Sequence, residues 1–302
     1  MTAKIISGTE VAKEIRAELT ERVKKCKEKG VTPGLVIIRV GEDPASVSYV
    51  TGKEKAADEV GIWSETFVLP ETATEEDLLA KVEEMNKAEH VDGILVQLPV
   101  PKHINADKVL DLIDPAKDVD GFHPINVGKM LIGDPFFMPC TPYGAVELMI
   151  RSGNEPKGKH VVICGRSNIV GKPLMAMLVQ KNARGNATIT VVHTGTPNMA
   201  EYTRQADILV ACMGVPEVIK ADMVKEGAVV IDVGVNRVGM KPSKKDPNKM
   251  VADLRGDVEF GPVSEKASAI TPVPGGVGPM TITILMQNTV VAAERRAGIA
   301  TE

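Results

Sequence analysis

The chain has 302 residues, 43% of them apolar and 25% charged, the make-up of a soluble globular protein long enough for two ordinary domains. A formal charge of -4, with no basic stripe interleaved with aromatic residues, excludes the electrostatic footprint of a DNA- or RNA-binding protein. The opening MTAKIISGTEVAKEI has no apolar signal core and no stretch approaches bilayer-spanning length, so the sequence reads as cytoplasmic, with no membrane partner.

Four cysteines, Cys26, Cys140, Cys164 and Cys212, contain no Cys-x-x-Cys pair, and five histidines show no His-x-x-x-His spacing. A disulfide framework, a zinc ribbon and a metal-dependent mechanism are therefore disfavoured, and no metal is expected.

In chain order, LVIIRV (35–40) reads as a buried strand, followed by a helix with Asp43 as its cap, Pro44 in its first turn and Gly61 at its end. SETFVL (64–69) is a second strand. A helix then runs from the 72–75 region towards His90, with Leu78, Leu79, Val82 and Met85 at helical spacing, and GILVQL (93–98) is the third strand. The stretch HPINVGKMLIGDPFFMPCTP (123–142), rich in Pro and Gly, reads as a bridge. Beyond it HVVICG, ATITVVH, DILVACMG and AVVIDVG keep the βαβ rhythm of a dinucleotide-binding domain. MKPSKKDPNKM (240–250) reads as an exposed loop, and TPVPGGVGPMT leads into a closing helix. The expected fold is α/β in two domains: residues 1–140, completed by a C-terminal helix over 277–302, and a Rossmann-like domain over 141–276.

The loop ICGRSNIVGKP (163–173) lies between an apolar strand and an apolar helix, where a phosphate-binding chain usually writes Gly-x-Gly-x-x-Gly. Gly165 and Gly171 can serve the two ends of such a turn, and Ser167 is small and can donate a hydrogen bond. The next strand ends VVHTGT (191–196), without the acid that would hold the ribose 2′-hydroxyl of NAD. Arg166, with Thr194 and Thr196, instead supplies a cation and hydroxyls for a 2′-phosphate, which predicts NADP as cofactor. As a rival reading, the loop is a tight strand-to-helix turn and Arg166 a solvated surface cation.

In the first domain, SYVTGKEKAADEVGI (48–62) sets Tyr49 and Lys53 four residues apart, on one helix face. Gln97 ends the third strand, so that a lysine, a tyrosine and an amide converge at the carboxyl edge of one sheet, where open α/β sheets build their sites. KDVDGFHPIN (117–126) adds Asp118 and Asp120; one of them can hold a polar heterocycle through paired N–H donors, or both can belong to an Asp-Gly turn.

Together SYVTGKEKAA, DGILVQLPVP, KDVDGFHPINVGK, PCTPYGA, GRSNIVGKP, GAVVIDVGVNRV and TPVPGGVGPMT strongly resemble one family, the bifunctional methylenetetrahydrofolate dehydrogenase/methenyltetrahydrofolate cyclohydrolases of one-carbon metabolism. The resemblance covers nearly the whole chain. It implies a folate-binding catalytic domain, an NADP domain with a cleft between the two, a homodimer formed through the NADP domains, and a place in purine, methionine and histidine biosynthesis. It implies that Lys53 is the catalytic lysine, Tyr49 its stacking neighbour, Gln97 the amide that sets its protonation, and Asp120 the carboxylate that grips the pterin. Cofactor contacts are implied at Gly165, Arg166, Ser167, Ile169, His193, Thr194, Thr196, Gly214 and Val235. Substrate contacts are implied at Tyr49, Lys53, Gln97, Leu98, Asp120, Pro274, Gly275 and Gly276. The family often has serine at the position of Thr194, so the hydroxyl is kept with an added methyl. A monofunctional dehydrogenase and a non-catalytic NADP-binding protein are the alternative functions.

Overall fold

The computed structural model describes residues 2–243, 246 and 250–300. In chain order the elements are β1 (Lys4–Ile5), α1 (Gly8–Glu28), β2 (Gly34–Val40), α2 (Pro44–Val60), β3 (Trp63–Leu69), α3 (Glu75–Lys87), β4 (Gly93–Val96), α4 (Ala106–Leu112), α5 (Pro124–Leu131) and α6 (Cys140–Arg151). They continue with β5 (His160–Cys164), α7 (Gly171–Leu178), β6 (Thr188–Val192), α8 (Met199–Thr203), β7 (Ile208–Ala211), a 3₁₀ turn (Ala221–Met223), β8 (Val229–Asp232), β9 (Asn236–Pro242), β10 (Met250–Arg255), α9 (Phe260–Ser264), β11 (Ala269–Ile270) and α10 (Val277–Arg296). The chain divides into two compact units. One, the lysine unit, holds residues 12–140 and the chain from Ile282 on; the other, the glycine-loop unit, holds the chain up to Val11 and residues 141–281. Among the described residues no helix is long and apolar enough to cross a membrane.

The lysine unit is built on a parallel sheet in the order β3-β2-β4. Its central strand GLVIIRV is buried along its whole length, as a strand covered on both faces must be. Val36, Ile38, Ile94, Leu78 and Val82 form one apolar cluster beneath α3. Local chemistry sets the helix ends. The Asp43 carboxylate accepts from the Ser46 N–H at 2.8 Å, Pro44 opens α2, and Gly61 closes it at φ 84°. Thr74 and Asp77 form a reciprocal capping box at the head of α3. The bridge over 123–142 is partly helical: Pro124 opens α5, the His123 ring accepts from the Ile125 N–H at 3.1 Å, and α6 begins at Cys140. Within this unit α10 is tied to α1 by Arg22–Glu294 (2.8 and 2.6 Å) and to the start of β4 by Arg296–Asp92 (2.7 and 2.8 Å).

The glycine-loop unit holds six parallel strands in the order β1-β11-β8-β7-β5-β6. Its core is the cluster of Val162, Leu209, Val230, Ile270 and their neighbours. The expectation that residues 1–140 form one domain is corrected at its start: Lys4 and Ile5 pair with Ala269 and Ile270, so the first residues extend the second unit's sheet instead. Two residues of strand are too short to announce their partner. The segment read as a loop over 240–250 is flanked by strand on both sides: β9 runs to Pro242 and pairs antiparallel with β10 from Met250. Residues 244, 245 and 247–249 lie outside the described residues.

Candidate active site

Lys53 sits on the third turn of α2 and is only 8% exposed, whereas Tyr49, one turn earlier, is 46% exposed. Because α2 follows β2 directly, both lie near the carboxyl edge of the sheet. Lys53 Nζ donates to Gln97 Oε1 at 2.8 Å. Two further bonds hold Gln97 in place. Its backbone N–H donates to Ile38 O at 2.8 Å, continuing the sheet one residue beyond β4, and its Nε2 donates to Leu98 O at 2.6 Å. Burial lowers the Lys53 pKa from its ordinary value, opposed by the charge of Asp120.

Asp118 and Asp120, equivalent by sequence, are separated by their partners. Asp118 is 1% exposed and bonded within its own loop: Oδ2 accepts from the His123 N–H (2.8 Å) and Asn126 Nδ2 (2.9 Å), and Oδ1 from the Phe122 N–H (3.3 Å). Burial pushes its pKa up to about 6. It is buried and its donors come from the next eight residues, so it shapes the loop. Asp120 is the one beside Lys53; burial raises its pKa, opposed by the lysine charge and by a hydrogen bond with the Cys140 thiol. That thiol is itself pushed well above the ordinary range by burial and by Asp120. Asn288 on α10 closes the arrangement, donating to Val119 O (2.8 Å) and Met138 O (2.9 Å). Gly121, at φ 76°, lies where a Cβ would come within 2.7 Å of the Pro139 nitrogen, so the turn after Asp120 requires glycine.

In the glycine-loop unit the loop after β5 is packed against itself. A Cβ on Gly165, at φ 134°, would lie 2.4 Å from Cys212 O, and one on Gly171 would lie 2.3 Å from Gly165 O. Ser167 Oγ accepts from the Val170 N–H at 3.1 Å, so its oxygen braces the loop while its hydrogen remains free to donate. Arg166 and Ile169 are exposed, and among the described residues Arg166 makes no hydrogen bond or ion pair. The Gly165 N–H donates to Val192 O at 2.8 Å, which places this loop beside the turn that follows β6. In that turn Thr196 Oγ1 accepts from the His193 N–H (3.0 Å) and the His193 ring accepts from the Gly195 N–H (3.1 Å). Thr194 is exposed and its hydroxyl is unclaimed among the described residues. Gly214 (φ 69°) and the exposed Val235 lie beyond the carboxyl ends of β7 and β8. Pro274, Gly275 and Gly276 pack on the head of α1, where Thr9 N–H donates to Gly275 O at 3.2 Å.

Each unit therefore gathers one set: Tyr49, Lys53, Gln97, Leu98 and Asp120 in the first, and the loops after β5, β6, β7 and β8 with 274–276 in the second. Sequence reasoning missed Cys140 and Asn288. Only Cys140 carried a signal, its place in PCTP next to a helix start. An open hollow of ≈ 460 Å³ at the carboxyl edge of the lysine-unit sheet is lined by Val40, Asp43, Glu71 and Pro99. Larger hollows of ≈ 510 and ≈ 680 Å³ lie elsewhere, each lined by an ion pair, Asp207–Lys225 in one and Asp92–Arg296 in the other. Chemistry, not size, marks the site.

Residues 6–120 match the family model of the tetrahydrofolate dehydrogenase/cyclohydrolase catalytic domain, and residues 139–297 match that of the NAD(P)-binding domain of the same family. The chain belongs to the tetrahydrofolate dehydrogenase/cyclohydrolase family. The bifunctional protein FolD of Desulfosudis oleivorans is 56% identical over 302 residues, covering 99% of this chain and 100% of that protein. FolD of Bacillus cereus is 54% identical over 299 residues, covering 99% of each. Among solved structures, the methylenetetrahydrofolate dehydrogenase-cyclohydrolase of Trypanosoma brucei, complexed with NADP cofactor and inhibitor, superposes with a TM-score of 0.90 at 40% identity, over 98% of this chain and 99% of that one. The bifunctional FolD of Campylobacter jejuni gives 0.87 at 43% identity, over 97% and 99%.

Proposed function

We propose that this chain oxidises 5,10-methylenetetrahydrofolate with NADP⁺ and hydrolyses the resulting 5,10-methenyltetrahydrofolate to 10-formyltetrahydrofolate. The full-length bifunctional relatives support both activities. One observation carries the second: a buried lysine, its pKa lowered, aimed by a fixed glutamine oxygen at 2.8 Å.

NADP, when bound, supplies the hydride acceptor. The residues fit it. Arg166 and Thr194 stand unpartnered at the carboxyl ends of adjacent strands, no carboxylate ends β6, and this cation-and-hydroxyl set suits a 2′-phosphate. The loops carrying Gly165, Ser167, Ile169, His193, Thr196, Gly214 and Val235 would hold the rest of the dinucleotide along the carboxyl edge of the sheet.

In the oxidation a nitrogen lone pair of the substrate drives hydride loss from the one-carbon bridge, so the protein mainly orients. The exposed Tyr49 ring offers a stacking face, Asp120 accepts N–H donors of the pterin, and Leu98 contacts the remainder. Hydrolysis needs proton transfers. Water adds to the cationic amidinium carbon and gives a proton to neutral Lys53. The lysine ammonium then protonates the departing ring nitrogen as its bond to carbon breaks, and the remaining hydroxyl proton leaves to solvent as the formyl carbonyl forms. Gln97 holds Nζ at the place of transfer, and burial keeps the neutral amine accessible.

The test follows NADPH and methenyltetrahydrofolate absorbance separately. Wild-type protein forms NADPH without accumulating the methenyl compound, and Lys53→Ala accumulates it; equal accumulation in both would leave only a monofunctional dehydrogenase. The family's organisation supports three further assignments: a homodimer through the glycine-loop unit, a cytoplasmic location, and supply of one-carbon units to purine, methionine and histidine synthesis. Light scattering on the purified protein tests the dimer.

A further inference from the structure

Two buried carboxylates in the glycine-loop unit take no part in this chemistry. Asp232, 4% exposed at the end of β8, accepts from the N–H groups of Gly234 (3.0 Å), Asp257 (3.0 Å) and Val258 (3.0 Å). Asp257, 0% exposed and just past the β9–β10 hairpin, accepts from four donors. Its Oδ2 takes the N–H groups of Met213 (2.6 Å) and Gly214 (2.9 Å); its Oδ1 takes the Val215 N–H (3.0 Å) and Asn236 Nδ2 (2.8 Å). The surroundings are cut to fit. A Cβ on Gly234 would lie 2.1 Å from Asp257 Oδ1, and one on Gly256 would lie 1.8 Å from Asp232 Oδ2.

Asp257 thus joins the turn after β7 to the segment after β8, two pieces of chain with no sequence relation to it or to each other. Three consecutive N–H groups that could have faced an anionic ligand are consumed internally. The carbonyls of Met213 and Gly214 accept no hydrogen bond among the described residues and are left for a ligand carrying N–H donors. Neighbouring strands lie ~4.8 Å apart. The ends of β7 and β8 are two and three strands along from β6, roughly 10–14 Å from Thr194, and one and two strands along from β5, roughly 5–10 Å from Arg166, so they continue the sheet edge away from the 2′-phosphate end in the direction a dinucleotide is laid.

We infer that Asp257 is a positioning residue for the nicotinamide half of the cofactor, acting through the loops at 213–215 and 234–236, with Asn236 as its link to the second loop. This rests on the NADP reading above. The experiment titrates full-length wild type, Asp257→Asn and Asn236→Ala with NADP⁺ and with adenosine 2′,5′-bisphosphate, which carries only the adenine end. An amide at 257 turns two of the acceptor contacts into donor-to-donor clashes, so NADP⁺ affinity falls by about tenfold or more, and by a few fold in Asn236→Ala. Binding of the bisphosphate stays within about twofold of wild type, because its contacts lie at β5 and β6. KM for NADP⁺ rises in step with the affinity loss, while kcat at saturation changes less. Should Asp257→Asn fail to fold, Asn236→Ala, which touches one oxygen of the carboxylate, carries the test. Equal weakening of both ligands, or no change in either, overturns the inference. A wild-type protein that binds neither ligand overturns the NADP reading itself.

Discussion

Replacing Lys53 by methionine separates the two proposed reactions. Methionine keeps an unbranched stem of similar length in the buried slot and removes only the amine. On the folding side, Gln97 Oε1 loses its 2.8 Å donor, at a cost of about 1–3 kcal/mol for an unpaired acceptor. Relief from burying an ammonium has the opposite sign, so the two effects offset and Tm moves by only a few degrees. On the catalytic side, loss of a positioned proton-transfer group costs roughly 10²–10⁴ in rate, about 3–5 kcal/mol of barrier. Oxidation, which needs alignment rather than a proton, persists. Stopped-flow absorbance of the methenyl compound then shows accumulation in the variant, with thermal denaturation as the folding control. The wild-type hydrolysis rate rises with pH as Lys53 sheds its proton below the ordinary lysine range. Hydrolysis by Lys53→Met at the wild-type rate, in folded protein, refutes the lysine's role.

Three further outcomes follow from the same geometry. Arg166→Ala lowers the NADP-over-NAD preference in kcat/KM by about tenfold or more, because one charge-assisted contact is lost while NAD gains nothing; an unchanged ratio removes the arginine from specificity. Asp120→Asn abolishes substrate binding with little change in Tm, whereas Asp118→Ala strands three donors and lowers stability by a few kcal/mol; the reverse pattern shows that the two aspartates are assigned backwards. Asp232 is raised from 3.8 to about 7, so the folded state binds the extra proton, and its contribution is complete below the unfolded pKa and lost as pH rises to about 7. Stability measured by urea unfolding therefore falls between about pH 4 and pH 7 by an amount on the order of a few kcal/mol, and Asp232→Asn flattens that slope; an equal slope in the variant rules Asp232 out as its source.

What can be read from the sequence is what neighbours in the chain decide. Asp43, Pro44 and Gly61 cap α2 through contacts no more than four residues away, and the glycines of 163–173 mark a turn whose need for them is local. Lys53 and Tyr49 share a helix face by spacing alone. The helix α1 goes unread: its buried Ala12, Ile15, Leu19, Val23 and Cys26 recur at steps of three and four, but Lys and Glu between them dilute the stripe. In 123–142, Pro124 reads as a breaker when it opens α5, since proline is a poor interior residue but a good first one. The choice between Asp118 and Asp120 has no local answer, because both precede the same turn and only remote partners differ: His123 and Asn126 for one, Lys53 and Cys140 for the other. Asp257 is the extreme case. Its four donors lie 21 to 44 residues away, its own neighbours read as an ordinary Gly-Asp turn, and nothing short of the folded sheet edge brings them to one carboxylate. Residues whose work is to join distant loops carry no periodicity and no spacing, so sequence reasoning finds reactive groups more readily than the groups that hold them in place.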